Sequence, residues 1–128
     1  MLLIALFALA QTTFAQASKV PQAVKTALAQ AYPNATDVDW ELEDGKYEAE
    51  IDMEGGKEMS LLYDASGSLL ETEVEIAFSE LPQAVQAALK GKKVKETAKI
   101  TDAKGMVTFE AEVKGKDLMF DTQGKELN

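Results

Sequence analysis

Residues 18–28 read SKVPQAVKTAL, and residues 79–89 read SELPQAVQAAL. Seven of these eleven positions are identical, sixty-one residues apart. In each copy a serine precedes a proline that opens an amphipathic run. Ser18 and Ser79 are suited to capping the first backbone amides, and Pro21 and Pro82 fall where a missing N–H costs little. Val20, Val24 and Leu28, with Ala27 and Ala31, make one apolar stripe at spacings of three and four. Leu81, Val85 and Leu89, with Ala88, repeat it. Each copy therefore predicts a helix, the first ending before Pro33 and the second at Gly91.

After each helix the apolar spacing changes from a helical to a strand period. Residues 37–54, DVDWELEDGKYEAEIDME, alternate strictly, with Val38, Trp40, Leu42, Tyr47, Ala49, Ile51 and Met53 on one side. Asp44-Gly45 is a two-residue hairpin signal. EMSLLYD (58–64) and SLLETEVEIAF (68–78) are a third and fourth strand, the latter offering Leu70, Val74, Ile76 and Phe78 to the core. The second copy runs through KVKETAKIT (93–101), MVTFEAEV (106–113), KDLMFD (116–121) and a truncated KELN (125–128). YEAEI matches FEAEV, and LLYDASGSLL matches LMFDTQGKEL. The expected fold is α+β: a tandem repeat of a helix plus about four antiparallel strands, both helices on one face of an antiparallel sheet. Nothing between Glu71 and Glu80 reads as a linker, so residues 18–128 are expected to form one domain of two repeats, 18–78 and 79–128.

The stretch VPQAVKTALAQAYPNATDVDW, followed by YEAEI and LLYDASGSLL, resembles the PepSY-like group of exported bacterial proteins. That group is described as similar in fold to β-lactamase inhibitory protein (BLIP). The resemblance rests on a proline-headed helix and an aromatic-Asp-x-x-Gly hairpin, and it implies a tandem helix-plus-four-strand unit in the periplasm. It carries no implication of β-lactamase inhibition, since no inhibitory motif can be placed on these residues.

The N-terminal stretch LLIALFALA is nine apolar residues, followed by QTTFAQA with small residues at cleavage positions. It reads as a signal peptide over residues 1–15, with Ala17 as the alternative end, and is too short to span a bilayer as a mature helix. No Lys or Arg precedes it, so either the Met1 amino group supplies the positive charge or the start lies upstream. The mature chain is expected to be periplasmic or secreted, with no membrane association. Formal net charge is −9, from 13 basic and 22 acidic residues, which argues against nucleic acid as a partner. There is no Cys and no His. Disulfides, thiol nucleophiles, the usual zinc ligands and the commonest general base are all missing.

The acids are patterned. Alternation puts Asp37, Asp39, Glu41 and Glu43 on the face away from the helices, joined across the turn by Glu48, Glu50, Asp52 and Glu54. A two-residue turn sets Glu41 opposite Glu48, Asp39 opposite Glu50 and Asp37 opposite Asp52. Glu71, Glu73 and Glu75 extend the ladder. In the second copy, Lys95 should face Glu112, and Lys99 should face Thr108 near Glu110. Residues 20–80 carry 3 basic and 15 acidic side chains, and residues 81–128 carry 9 and 7. On this reading the acidic face is solvated, and its acids have neither burial nor asymmetry.

Catalysis finds no support. Ser60, Ser66 and Ser68 have no His to activate them, Gly55-Gly56 is a turn, and the aromatic and Met residues alternate as core. No cofactor is expected. The expected function is a non-catalytic binding module whose sheet face recognises a basic protein or peptide, with Asp37, Asp39, Glu41, Glu48, Glu50 and Asp52 as the binding residues. The alternatives are Ca²⁺ binding by the same acids, although alternating strand carboxylates do not wrap an ion as a calcium loop does, or a soluble protein with no dedicated ligand. No metal ligand set is assigned.

Overall fold

The computed structural model describes residues 17–128. The N-terminal segment read as a signal peptide therefore lies almost wholly outside the described residues. The elements are α1 (Gln22–Ala31), β1 (Asp39–Glu43), β2 (Lys46–Asp52), β3 (Glu58–Tyr63), β4 (Leu69–Ile76), α2 (Gln83–Ala88), β5 (Val94–Asp102), β6 (Val107–Val113) and β7 (Lys116–Phe120). The seven strands form one sheet in sequential order, every neighbouring pair antiparallel. A bridge between Phe120 and Glu126 is what remains of an eighth strand, the truncated KELN segment. The two copies of the repeat meet through β4 and β5, which pair from Glu71↔Asp102 to Ile76↔Thr97.

Both helices cover one face. Under α1, Val24 and Leu28 pack with Trp40, Ala49, Ile51, Met59, Leu61 and Tyr63. Beside α2, Leu81, Val85 and Leu89 pack with Phe109, Ala111, Val113 and Phe120. The register links the two cores to one side, because Met59↔Val74, Val74↔Lys99, Lys99↔Phe109 and Phe109↔Phe120 are successive partners. Directly opposed residues in an antiparallel pair point the same way. Trp40 is 6% exposed, which confirms the strand phase read from the alternation.

Several local expectations change. Pro21 and Pro82 are themselves the N-caps, with extended ψ of 146° and 144° and no side-chain cap bond, so the cap position falls on the prolines and not on the serines. Proline's fixed φ directs the chain into the helix without one. Ser79 lies instead in a 3₁₀ turn, Phe78–Glu80, where the Glu80 carboxylate accepts a hydrogen bond from the Ala77 N–H (2.7 Å) and pairs with Lys57 (3.2 Å). That turn leaves Phe78 42% exposed rather than in the core.

Asp44 (φ +49°) and Gly45 (φ +74°) form the expected two-residue turn, setting Glu41↔Glu48 and Asp39↔Glu50. Asp37 is not in β1. It adopts φ +53° ahead of the strand, and Asp52 pairs with Glu58, so the Asp37–Asp52 pair does not form. Glu54 sits in a 3₁₀ turn, Glu54–Gly56. In the second copy, the register slips by one between Val94 and Thr97, and Lys99 faces Phe109 on the helix side instead of Thr108.

Candidate functional site: the acidic open face

The face away from the helices is built from the alternate positions of all seven strands. Successive partners run Asp39↔Glu50↔Ser60↔Glu73↔Ile100↔Thr108 and Glu41↔Glu48↔Leu62↔Glu71↔Asp102. Glu75↔Ala98↔Glu110↔Met119 and Glu112↔Asp117 continue it. The charge imbalance between the two halves of the sequence does not reappear here. The second copy's lysines lie mostly in turns or, like Lys99, on the helix side, while Glu110, Glu112 and Asp117 join the acids of the first copy. Lys95 is a partial exception, 3.9 Å from Glu112 with its side chain 74% exposed.

This face is not simply wet. Glu48 is 5% exposed, and Leu62 and Ile100 are each 7% exposed, although no helix among the described residues covers them. Right-handed twist accumulated over seven antiparallel strands curls an open sheet, so long side chains at its centre screen one another. A hollow of about 40 Å³ lies among Ser60, Glu73, Glu75, Glu96, Glu110 and Asp117. Two carboxylate oxygens, Oε1 of Glu48 and Oε2 of Glu73, are buried with no hydrogen-bond partner. Buried acceptors of this kind are costly unless something donates to them.

The electrostatics follow from burial without counter-charge. Burial, then the neighbouring Glu50 and Glu41, push the Glu48 carboxyl up to about 8. Burial, then Glu110 and Glu48, push Glu73 up to about 8. Glu110 rises to about 7 through burial and then Asp117 and Glu71. Glu50, Glu58, Glu71 and Asp117 are raised too, burial again being the largest cause. Near neutral pH the centre of the face therefore holds protons. The acids are thus both buried and unequal, against the expectation from sequence.

Of the residues expected to bind, the fold gathers Glu41, Glu48 and Glu50, with Asp39 beside Glu50; Asp52 lies at the end of β2 and Asp37 lies outside the strand. Glu73, which the alternation did place on this face, and Glu110 are the other deeply placed acids, and neither was among the residues expected to bind. A signal was present: Leu61 and Leu62 are adjacent, so one of them must occupy the polar phase, and an apolar residue is stable there only if that face is partly closed.

These features define an α+β protein with paired helices behind a single antiparallel sheet and an acidic face left open. The family described as "Putative beta-lactamase-inhibitor-like, PepSY-like" matches residues 10–71 and again 63–127, and the chain belongs to this family. A BLIP-like protein from Bacteroides fragilis is similar over 84% of each chain, with 29% identity and a TM-score of 0.68. A DUF2874 family protein from Bacteroides ovatus is similar over 84% of each chain (21% identity, TM-score 0.74). A structure from Bacteroides eggerthii described as "putative periplasmic proteins" covers 85% of this chain and 86% of its own (20% identity, TM-score 0.77). No curated protein matches the chain. Among the described residues no helix is long and apolar enough to cross a membrane.

Proposed function

We propose that this protein is an exported, non-catalytic binding module that recognises a cationic protein or peptide through its open sheet face. The observation that carries this reading is the pair of buried, undonated carboxylate oxygens on Glu48 and Glu73, set in a face with almost no basic residue. Lys and Arg side chains carry the donors and the positive charge that such a face lacks. The family's inhibitor-like description and the BLIP-like relative support recognition of a protein in general. The periplasmic description of one relative and the apolar N-terminal stretch support export.

Recognition of this kind is salt-sensitive and strengthens as pH rises through about 7–8, because the central acids must lose protons to engage a cation. Immobilised protein is exposed to periplasmic extract at low salt, beside a Glu50→Lys/Glu71→Lys variant. The expected result is a partner retained by the wild type, released by salt and not retained by the variant. Equal retention on both columns, or no retained protein on either, refutes the reading.

A further inference from the structure

We propose that Glu41, Glu48 and Glu50 form a site for a hard divalent cation, with Ca²⁺ the best match. Glu41 and Glu48 are directly opposed across β1 and β2, and Glu50 stands two residues further along β2, so all three project from the open face. One carboxylate oxygen from each lies within 4.8 Å of the others. Oxygens sharing one Ca²⁺ at about 2.3–2.6 Å are separated by no more than about this distance.

A loose group of surface acids relieves its repulsion by moving apart, and Glu48 has no such freedom. It is 5% exposed, held between Glu41 and Leu62, and its Oε1 is buried without a hydrogen-bond partner. The side chains that act on it, Glu50, Glu41 and Glu43, are all acids, and Glu50 also hydrogen-bonds to it. Lys46, at the hairpin end, pairs with Glu43 and acts on Glu71. Glu41 and Glu50 are half-buried, which leaves an approach from solvent and room for water ligands.

The donor chemistry narrows the ion. Three carboxylates supply up to about six oxygens, within the six to eight that Ca²⁺ takes. The chain has no Cys or His, so the soft and imidazole ligands favoured by Zn²⁺ and Cu²⁺ are missing. Mg²⁺ needs near-ideal octahedral geometry and sheds water reluctantly, and it should bind more weakly. This site requires no protein partner. Its test uses the chain alone, and its failure leaves the proposed function standing.

Thermal unfolding and titration calorimetry are run with CaCl₂ at constant ionic strength on the wild type, Glu41→Gln, Glu48→Gln and Glu75→Gln. Glu75 shares the open face but lies outside the triad. The wild type is expected to gain several degrees in Tm at millimolar CaCl₂, with Kd on the order of 10⁻⁴–10⁻³ M. Glu75→Gln should keep that gain, while Glu41→Gln and Glu48→Gln should weaken binding at least about tenfold. Glu48→Gln replaces a buried carboxyl by a neutral amide of nearly the same shape, so it should melt no lower than the wild type without calcium, which separates lost binding from lost folding. No heat and no shift in the wild type overturns the site. An equal shift in all four proteins overturns it as well, since that is diffuse screening.

Discussion

Glu73 shows how a single residue can make an acidic protein prefer acidic solution. It lies on β4 between Ser60 and Ile100, and the charges that act on it most are Glu110, Glu48, Glu71 and Asp117. Burial first, and then these carboxylates, raise it from 4.5 to about 8. The folded chain therefore holds this proton more tightly than the unfolded chain. Its stabilising effect is complete below the usual carboxylate range and is lost as pH rises through about 8. Glu110, raised to about 7, acts in the same direction. Tm should fall by several degrees between pH 5 and pH 8, and Glu73→Gln should flatten that fall and add roughly 1–3 kcal/mol at pH 8. A Tm that climbs across this interval, or a variant that melts below the wild type at pH 8, contradicts the burial. By contrast, Lys95→Ala should change stability by less than about 0.5 kcal/mol, because its ion pair with Glu112 is long and its side chain is largely in solvent.

The repeated hairpin explains why LLYDASGSLL and LMFDTQGKEL survive as recognisable copies. In the first, the Asp64 Oδ1 accepts hydrogen bonds from the N–H groups of Ser66 (2.9 Å) and Ser68 (3.0 Å). In the second, Asp121 receives those of Gln123 and Lys125, both at 2.9 Å. Each turn ends on a glycine with φ near the left-handed region, Gly67 at +88° and Gly124 at +83°. Each glycine also touches a helix: a Cβ on Gly67 would lie 2.7 Å from the Ala23 carbonyl oxygen, and one on Gly124 would lie 2.5 Å from that of Ala84. The turns of both copies thus lock against equivalent alanines of the repeated helix. Gly105 ends a similar turn at φ +82° in open space. Gly67→Ala and Gly124→Ala should each cost about 2–4 kcal/mol, and Gly105→Ala only about 1 kcal/mol, as read by chemical denaturation. Equal losses at all three positions would mean that the helix contacts do not matter. The aromatic-Asp-x-x-Gly pattern was visible in the residues, but its contact with the helix was not, since the two lie about forty positions apart.

At the scale of the molecule, the β4–β5 pairing joins two cores that each have their own helix. Val74 and Ile76 on the same strand pack toward the first and second core respectively, so neither half can loosen without exposing part of β4. Unfolding is therefore expected to be one cooperative transition. Trp40 fluorescence reports only the α1 core, and far-ultraviolet circular dichroism reports both, so the two denaturation curves should coincide. Midpoints that separate would show two units unfolding independently. A chain cut to residues 79–128 would leave β5 with an unpaired edge and should associate or fail to fold.

The α+β class, the tandem helix-plus-strands unit, the burial of Trp40 and the opposed pairs Glu41↔Glu48 and Asp39↔Glu50 were all determined by local pattern. Period, turn chemistry and a two-residue repeat along the strand decide them within a few positions of the chain. The slip at Lys95, the exposure of Phe78, the exclusion of Asp37 and the departure of Lys99 to the helix side were decided by the sheet as a whole. A bulge or a turn is set by what the neighbouring strand accepts. Only the tertiary structure could bury Glu48 and Glu73, because a strand pattern separates two faces but does not say how far a seven-stranded sheet curls over one of them. That burial turns an ordinary polar face into one that holds protons near neutral pH.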